Sequence, residues 1–222
     1  MAPLGIVGLG LLGSAVAGRL RAAGHDVLGH DVVADRQRAL EAIGGRAAPS
    51  AEAVAEAADP ICLVLPSLAA VEDVVLGPRG LAATARGRTI VQMSTISPAL
   101  TERLARECAG RGVAFLDCPI SGTSGMVARG EGIIFAGGTR ATFDRWRPTL
   151  EAVLPCAVFV GEAGQAMYLK LVANLLVALN SAAAAEALVM ARRGGLDLDL
   201  VLDVLGTSAA TSRMLEVRGP IG

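Results

Sequence analysis

The sequence contains few charged and few aromatic residues. Charged side chains make up 18% of its 222 residues, aromatic side chains make up 3%, and the formal net charge at pH 7 is −1. A typical soluble domain carries about 25% charged residues. Proteins that bind nucleic acid present basic runs, or basic patches interleaved with aromatic rings, and this sequence has neither. The composition therefore argues against nucleic acid as a partner.

The residue patterns of metal sites and disulfide frameworks are also missing. The four cysteines show no Cys-x-x-Cys or other ligand spacing, and the two histidines, His25 and His30, belong to no cluster of ligand spacing. We therefore expect no bound metal. A chain without a disulfide framework fits a reducing compartment, the cytoplasm. The lack of a Gly-x-Ser-x-Gly elbow and of a P-loop lysine argues against hydrolase and phosphoryl-transfer chemistry.

Neither a signal peptide nor a transmembrane helix is expected. Glycines interrupt the first apolar segment within its first few residues, which argues against the continuous apolar region of a signal peptide. The apolar window near residues 171–190 is long enough to span a bilayer, but Asn174, Asn180 and Glu186 interrupt it, and aromatic residues that would lie at the membrane interface are missing. We therefore expect no membrane association.

Strands and helices alternate along the first part of the chain. Short apolar strands, beginning with residues 3–8, are separated by helical segments as far as residue 161. This rhythm predicts an α/β fold with a parallel, doubly wound sheet of the Rossmann type. We assign residues 1–161 to this first domain.

The alternation stops after Gly161. The pattern predicts one long helix from about Gly164 to Arg193 and then a shorter helix. We assign residues 162–222 to an all-α domain for substrate binding and dimerisation. This domain is too small to cover its own apolar faces, so either a partner subunit completes it or the sequence is shorter than the fold to which it belongs.

A glycine motif follows the first strand directly. Gly8, Gly10 and Gly13 have the Gly-x-Gly-x-x-Gly spacing and open the first helix. In dinucleotide-binding proteins the first glycine makes a tight turn, the second admits the pyrophosphate and the third allows close packing of helix on strand. The motif, in this strand–helix context, predicts a dinucleotide site, with the helix N-terminus facing the phosphates.

An acid ends the second strand. Asp31 follows Gly13 by eighteen residues, where a carboxylate accepts hydrogen bonds from the adenosine ribose and repels a 2′-phosphate. This favours NAD over NADP. Arg36 and Arg38 are close enough in sequence to contact a phosphate, so NADP remains open.

Polar residues and turns follow the later strands, where open parallel sheets bind ligands. Leu65 and Pro66 end one strand, and Thr95 follows another and offers its hydroxyl to the cofactor or substrate unless it is an ordinary turn residue. The candidate cofactor-binding residues are therefore Gly8, Gly10, Leu11, Leu12, Gly13, Asp31, Leu65, Pro66 and Thr95.

A glycine-rich loop begins with Ser121, Gly122 and Thr123. Backbone N–H groups and hydroxyls clustered there suit a small carboxylate. The alternative is that the loop is a flexible connection between two strands.

The chain has one lysine, Lys170, and all its other basic side chains except the two histidines are arginines. Arginine does not release its proton, whereas a partly buried lysine can exchange one. Asn174 lies four residues further on, on the same helical face. Lys170 is thus a candidate general acid and base and Asn174 its orienting partner, unless the lysine is a surface residue that lies over apolar neighbours.

These segments together resemble the β-hydroxyacid dehydrogenase family, which includes the 3-hydroxyisobutyrate dehydrogenases, tartronate semialdehyde reductases and glyoxylate/succinic semialdehyde reductases. The quoted motifs are GIVGLGLLGSAVAGRL, MSTISP, FLDCPISGTSGMVARGEGIIFAGG and GEAGQAMYLKLVANLLV, and they cover nearly the whole chain. The resemblance implies an NAD(P)-dependent oxidoreductase in which Lys170 is catalytic, Asn174 is its partner and Ser121, Gly122 and Thr123 bind the substrate. It also implies a homodimer or higher oligomer formed through the long helix.

The sequence departs from the family pattern at several positions. Leu12 stands where methionine is commonest, Thr123 replaces the last glycine of the substrate loop and Ala166 replaces a usual glycine. Ala173 occupies the position of a histidine in phosphogluconate dehydrogenases, which argues against that activity. Family members continue past Gly222 with a segment that closes over the cofactor and substrate, so full activity of the 222-residue chain is open.

Two alternative functions remain. Imine reductases share the architecture but usually lack the lysine. A nucleotide-binding dimerisation module without catalysis is the second alternative, which the position of Gly222 favours and the Lys170–Asn174 pair opposes.

Overall fold

The computed structural model describes residues 2–218. Within that range nine strands form a single sheet. They are β1 (Leu4–Val7), β2 (Val27–His30), β3 (Arg46–Ala47), β4 (Ile61–Leu63), β5 (Thr89–Gln92), β6 (Ala114–Asp117), β7 (Ile120–Ser121), β8 (Ile133–Gly138) and β9 (Ala157–Gly161).

Helices connect the strands and make up most of the chain after β9. In the same described range they are α1 (Leu11–Ala22), α2 (Ala34–Ala42), α3 (Ala51–Ala57), α4 (Leu68–Leu76), α5 (Leu81–Thr84), α6 (Pro98–Gly110), α7 (Ser124–Ala128), α8 (Arg140–Val153), α9 (Gln165–Arg193), α10 (Leu198–Gly206) and α11 (Arg213–Arg218).

The sheet is mixed. Its strand order is β3-β2-β1-β4-β5-β6-β8-β7, with β9 also paired to β8. The pairs from β3 to β6 and the β8–β9 pair are parallel, but β8 runs antiparallel to both β6 and β7. The expectation of an entirely parallel sheet is therefore wrong beyond β6, where the chain turns back through β7 and the short α7. The Rossmann-type, doubly wound fold is confirmed.

Two apolar cores lie on opposite faces of this sheet. Successive residues of a strand point to opposite faces, and Ile6 and Val7 accordingly belong to different cores, as do Cys62 and Leu63. Residues of α1 and α8 pack in the first core, and residues of α3, α4, α5 and α6 pack in the second. Burial on both faces explains why β1 and β4 read as continuous apolar runs.

Helix starts follow the capping chemistry of the sequence. Ser97 is the N-cap of α6, where its hydroxyl accepts a 3.2 Å hydrogen bond from the Leu100 N–H, and Pro98 occupies the first turn. Both features can be read from the sequence, because serine is favoured at the N-cap and proline in the first turn. The helix α9 is confirmed, as a single helix of 29 residues.

The described residues form two compact units that divide between Lys170 and Leu171. The domain boundary at residues 161–162 stays a prediction, and residues 219–222 of the second predicted domain lie outside the described range. Within α9, Ala166 and Met167 are buried, whereas Leu175 and Leu179 are 58% and 56% exposed. This helix is also long and apolar enough to cross a membrane, which by length and composition alone is weak evidence.

Candidate active site

A cleft of about 480 Å³ opens at the carboxyl ends of β1, β2, β4 and β5, inside the first unit. Most of the residues that the sequence assigned to a cofactor line it. They are Gly8, Gly10, Leu11, Leu12, Asp31, Leu65, Pro66 and Thr95. The cleft therefore brings together residues from four separate segments of the chain at the edge where parallel sheets bind ligands.

The three motif glycines are required for different reasons. Gly8 has a φ of +96°, and a Cβ there would overlap the carbonyl oxygen of Val64. A Cβ at Gly13 would overlap the carbonyl oxygen of Gly8, so this glycine lies beneath the turn rather than on the cleft. A Cβ at Gly10 would meet no protein atom within 4 Å. The fold itself therefore explains Gly8 and Gly13, whereas the space at Gly10 suits the close approach of a pyrophosphate.

The N-terminus of α1 faces the same space. Gly10 is the N-cap of α1 and supplies no side-chain hydrogen bond to the first turn. The first amides of a helix have no intrahelical acceptor and attract an anion. Leu11, the first residue of the helix, is 85% exposed, which leaves an apolar side chain uncovered on the wall of the cleft. These features fit a bound dinucleotide.

Asp31 is a buried acid at the rim of the cleft. Its Oδ2 accepts a 2.7 Å hydrogen bond from the Leu9 N–H and its Oδ1 accepts a 2.9 Å hydrogen bond from the Val33 N–H. A guanidinium nitrogen of Arg36 lies 3.3 Å from both carboxylate oxygens. Burial alone would raise the pKa of Asp31, but the hydrogen bonds from Val33, Leu9 and Arg36 outweigh burial and hold it below its ordinary value. The carboxylate therefore stays ionised.

Ser94 and Thr95 have different environments. Ser94 is buried; its hydroxyl oxygen accepts a 2.8 Å hydrogen bond from the Leu65 N–H, and its backbone pairs with the side chain of Gln92. Ser94 thus joins the ends of β4 and β5. Thr95 is exposed and lines the cleft, so its hydroxyl is the one available to a ligand.

The predicted substrate residues come directly after Ile120, a residue of the cleft wall, in the chain. Ile120 lines the cleft, and Ser121 ends β7 directly after it. Gly122 is partly buried, and Thr123 is the N-cap of α7, where its hydroxyl accepts a 3.2 Å hydrogen bond from the Met126 N–H. The three residues therefore form an ordered turn next to the cleft residue Ile120, and within residues 2–218 the Thr123 hydroxyl acts only as an acceptor, which leaves its proton for a ligand.

Sequence reasoning gave no role to Asp117, which the structure places at a junction. Asp117 ends β6 and is fully buried; its Oδ2 accepts hydrogen bonds of 3.1 and 3.0 Å from the N–H groups of Gly164 and Met167. Its other oxygen, Oδ1, has no hydrogen-bond partner among residues 2–218. Burial raises the pKa of Asp117 to about 6, although the two backbone hydrogen bonds act in the opposite direction. The one feature of the sequence that could have drawn attention to Asp117 is its position as an acid at the end of an apolar strand.

Lys170 follows the start of α9 and belongs to the first unit. Its side chain is half-buried, and burial holds the pKa of its ammonium below the ordinary value of 10.5. Across the described part of the chain, no neighbouring charge contributes to this shift. Lys170 is not among the residues that line the cleft. Asn174 belongs to the second unit and is exposed.

The fold and the cleft define a Rossmann-type protein with a dinucleotide-binding domain. A family model described as the NAD binding domain of 6-phosphogluconate dehydrogenase matches residues 3–161, and one described as the NAD-binding of NADP-dependent 3-hydroxyisobutyrate dehydrogenase matches residues 163–221. The chain belongs to the β-hydroxyacid dehydrogenase family.

Several known proteins are similar to this chain over most of its length. The Escherichia coli 2-hydroxy-3-oxopropionate reductase is 37% identical over 181 residues, which are 81% of this chain and 62% of that enzyme. The structure of Mycobacterium tuberculosis 3-hydroxyisobutyrate dehydrogenase with L-serine matches with a TM-score of 0.92 and 27% identity, over 100% of this chain and 76% of that one. A structure of Psf3 in complex with NADP+ and 2-OPP matches with a TM-score of 0.90 and 30% identity, over 98% and 77% of the two chains. The chain thus spans about three fifths of the length of that reductase.

Proposed function

We propose that the protein is an NAD(P)-dependent oxidoreductase that transfers a hydride between a nicotinamide cofactor and a small β-hydroxy acid, or its semialdehyde or keto form. One observation carries the proposal. The only lysine of the chain is half-buried with a lowered pKa, on a helix whose first turn is bonded to the end of β6, beside the strands that form the cleft.

The cleft residues bind the cofactor in this proposal. The amides at the start of α1 contact the pyrophosphate at the open position of Gly10, and Asp31 accepts hydrogen bonds from the adenosine ribose. The apolar side chains of Leu11, Leu12 and Leu65 exclude water from the bound rings. A bound nicotinamide supplies the hydride for reduction and accepts it in oxidation.

Ser121, Gly122 and Thr123 bind the substrate carboxylate. Their backbone N–H groups and hydroxyls follow the cleft residue Ile120 directly in the chain, which supports binding of a small carboxylate next to the cleft. The relatives support this substrate class, because they include a 2-hydroxy-3-oxopropionate reductase and a 3-hydroxyisobutyrate dehydrogenase whose structure contains L-serine, a β-hydroxy acid.

Lys170 is the acid and base of the reaction, and Asn174 orients the substrate hydroxyl or the ammonium. In reduction the Lys170 ammonium gives a proton from Nζ to the carbonyl oxygen, and in oxidation the amine takes the proton of the alcohol. Burial favours both steps because it brings the lysine pKa closer to the working pH. Such help is typically worth about 10²–10⁴-fold in rate.

NAD is the preferred cofactor in this proposal, and NADP is the alternative cofactor. The ionised carboxylate of Asp31 disfavours a 2′-phosphate, whereas the Arg36 guanidinium beside it offsets part of that charge. The relative that binds NADP+ supports keeping both cofactors open.

The protein is also proposed to be a soluble, cytoplasmic homodimer or higher homo-oligomer. The exposed leucines of α9, among them Leu175 and Leu176, support a partner subunit because large apolar surfaces are rarely left open to water. A monodisperse monomer in sedimentation would contradict this assembly.

Turnover assays with matched lysine variants test the proposal. The 222-residue protein is offered NADH or NADPH with small semialdehydes and keto acids, beside Lys170→Ala and Lys170→Arg. We expect turnover by the wild type and a loss of at least about 100-fold in both variants, since arginine keeps the charge but gives up no proton. Turnover that both variants retain would contradict the role of Lys170.

The same assay separates the two alternatives. Reduction of cyclic imines but not of carbonyl acids would indicate an imine reductase. Dinucleotide binding without turnover of any substrate would indicate a binding and dimerisation module.

A further inference from the structure

Asp117 holds the start of α9 from a distant part of the sequence. Its Oδ2 accepts hydrogen bonds from Gly164 and Met167, which are 47 and 50 residues further along the chain. The amides of a first helical turn have no intrahelical acceptor, and a side chain next to the helix usually supplies one. For α9 a fully buried carboxylate at the end of β6 takes that place.

The residues next to α9 do not provide this cap. Gly164 has no side chain, and Gln165 uses its Oε1 to accept a 3.1 Å hydrogen bond from the Glu162 N–H. The packing of α9 in the first unit is also concentrated here, because Ala166 and Met167 are its two buried residues. The position and direction of the first turn of α9 therefore depend on the hydrogen bonds to Asp117 and on the packing of Ala166 and Met167.

We infer that Asp117 is a positioning residue for Lys170, fixing the helical turn that comes directly before the lysine. Lys170 follows Met167 by three residues, so its Cα moves with the turn that Asp117 holds. The inference rests on the proposed function for its catalytic consequence. The geometry supports it: one carboxylate oxygen, Oδ2, accepts hydrogen bonds from both the Gly164 and the Met167 N–H, at 3.1 and 3.0 Å, and so fixes two points of the turn before the lysine.

The single lysine makes the inference testable without assuming the reaction. In the 222-residue chain an amine-acylating reagent modifies Lys170 and the α-amino group, and peptide mass analysis separates the two. Asp117→Ala removes both acceptor oxygens, whereas Asp117→Asn keeps one. Asp59→Ala is the matched control, because Asp59 is also a largely buried acid whose Oδ1 accepts a 2.9 Å hydrogen bond from a backbone N–H, that of Thr89. Thr89 begins β5, so this contact lies at the amino ends of the strands, away from Asp117.

We expect Asp117→Ala to change the rate of Lys170 acylation by at least about threefold and to lower kcat by about 10- to 100-fold, with the Kd of the dinucleotide within about twofold of wild type. Asp117→Asn and Asp59→Ala are expected to keep the wild-type acylation rate. A folded Asp117→Ala variant with wild-type acylation would overturn the inference. If the wild type shows no turnover, the proposed function fails, but the acylation comparison still decides the role of Asp117.

Hydrogen exchange of the wild type covers the case in which Asp117→Ala does not fold. The inference requires the Gly164 and Met167 amides to be protected to the level of the sheet core. Exchange as fast as that of an uncapped helix end would overturn it.

Discussion

The backbone N–H of Leu9 donates a 2.7 Å hydrogen bond to Oδ2 of Asp31. This hydrogen bond links the turn after β1 to the acid after β2, so the orientation of the Asp31 carboxylate depends on the glycine motif. A substitution of Asp31 disturbs both the turn and the ribose contact. Arg36, which is half-exposed and touches the carboxylate from the outside, gives a cleaner test of cofactor choice.

Arg36→Ala is expected to weaken NADPH binding more than NADH binding. If the guanidinium contacts the 2′-phosphate, its loss removes a charge-assisted hydrogen bond of about 1.5–3 kcal/mol, so the Kd of NADPH rises by at least about tenfold. Fluorescence titration of both cofactors measures the difference.

Arg38→Ala is the control for this prediction, because Arg38 is exposed and pairs with Asp35. It should change neither Kd. Equal losses for the two cofactors in Arg36→Ala would show that Arg36 does not read the phosphate.

Gly10→Ala and Gly13→Ala should separate ligand binding from folding. A Cβ at Gly10 meets no protein atom, so the free energy of unfolding should stay within about 0.5 kcal/mol of wild type while the dinucleotide Kd rises at least about tenfold. A Cβ at Gly13 overlaps main-chain oxygen, so that variant should lose stability. Denaturant unfolding and cofactor titration check both, and an unstable Gly10→Ala protein would refute the assignment of its space to the ligand.

The pH dependence of the rate should follow Lys170. As an acid in reduction, the lysine acts while protonated, so kcat should fall as pH rises through a pKa below 10.5. In oxidation it acts as the free amine, and kcat should rise through the same pKa. Steady-state rates in both directions provide the test, and opposite trends would exclude Lys170 as the proton donor.

The stability of the fold should depend on pH through Asp117. Its pKa is raised from an ordinary 3.8 to about 6 in the folded protein, so the folded state holds the proton more tightly than the unfolded chain. The stabilisation is complete below the unfolded pKa and is lost as pH rises through the folded one. Between about pH 4 and about pH 7 the wild type should therefore lose on the order of 2 kcal/mol relative to Asp117→Asn. A difference that stays constant in denaturation experiments across this range would contradict the raised pKa.

The parts of the fold predicted from sequence are those with local signals. The glycine motif, the Ser97 cap and the helix α9 depend on residues close together in the chain. The direction of β8 was missed because an apolar run has the same pattern in either orientation. The short helices α3, α5 and α7, of seven, four and five residues, are too brief to show a helical period.

The candidate site also contains residues that could be predicted from the sequence and residues that could not. Most of the cofactor candidates could be grouped in advance, because the carboxyl ends of parallel strands meet at one edge of the sheet. Asp117 could not be assigned, because its partners lie 47 and 50 residues away and no short motif joins them. The contrast between Ser94 and Thr95 also needed the three-dimensional contacts, since adjacent hydroxyls after a strand look alike in sequence.

The obstacle to a side chain at Gly8 is the carbonyl of Val64, and the obstacle at Gly13 is the carbonyl of Gly8. Because every residue carries that carbonyl, no substitution of the obstructing residue can clear the space. Gly29 is different: the nearest atoms to a Cβ there would belong to the side chains of Leu40, at 2.6 Å, and Leu9, at 3.2 Å, so shifts or smaller residues at those positions would relieve the overlap. A larger residue at Gly29 can therefore be accommodated by coupled substitutions of neighbouring side chains, whereas no such substitution makes room at Gly8 or Gly13.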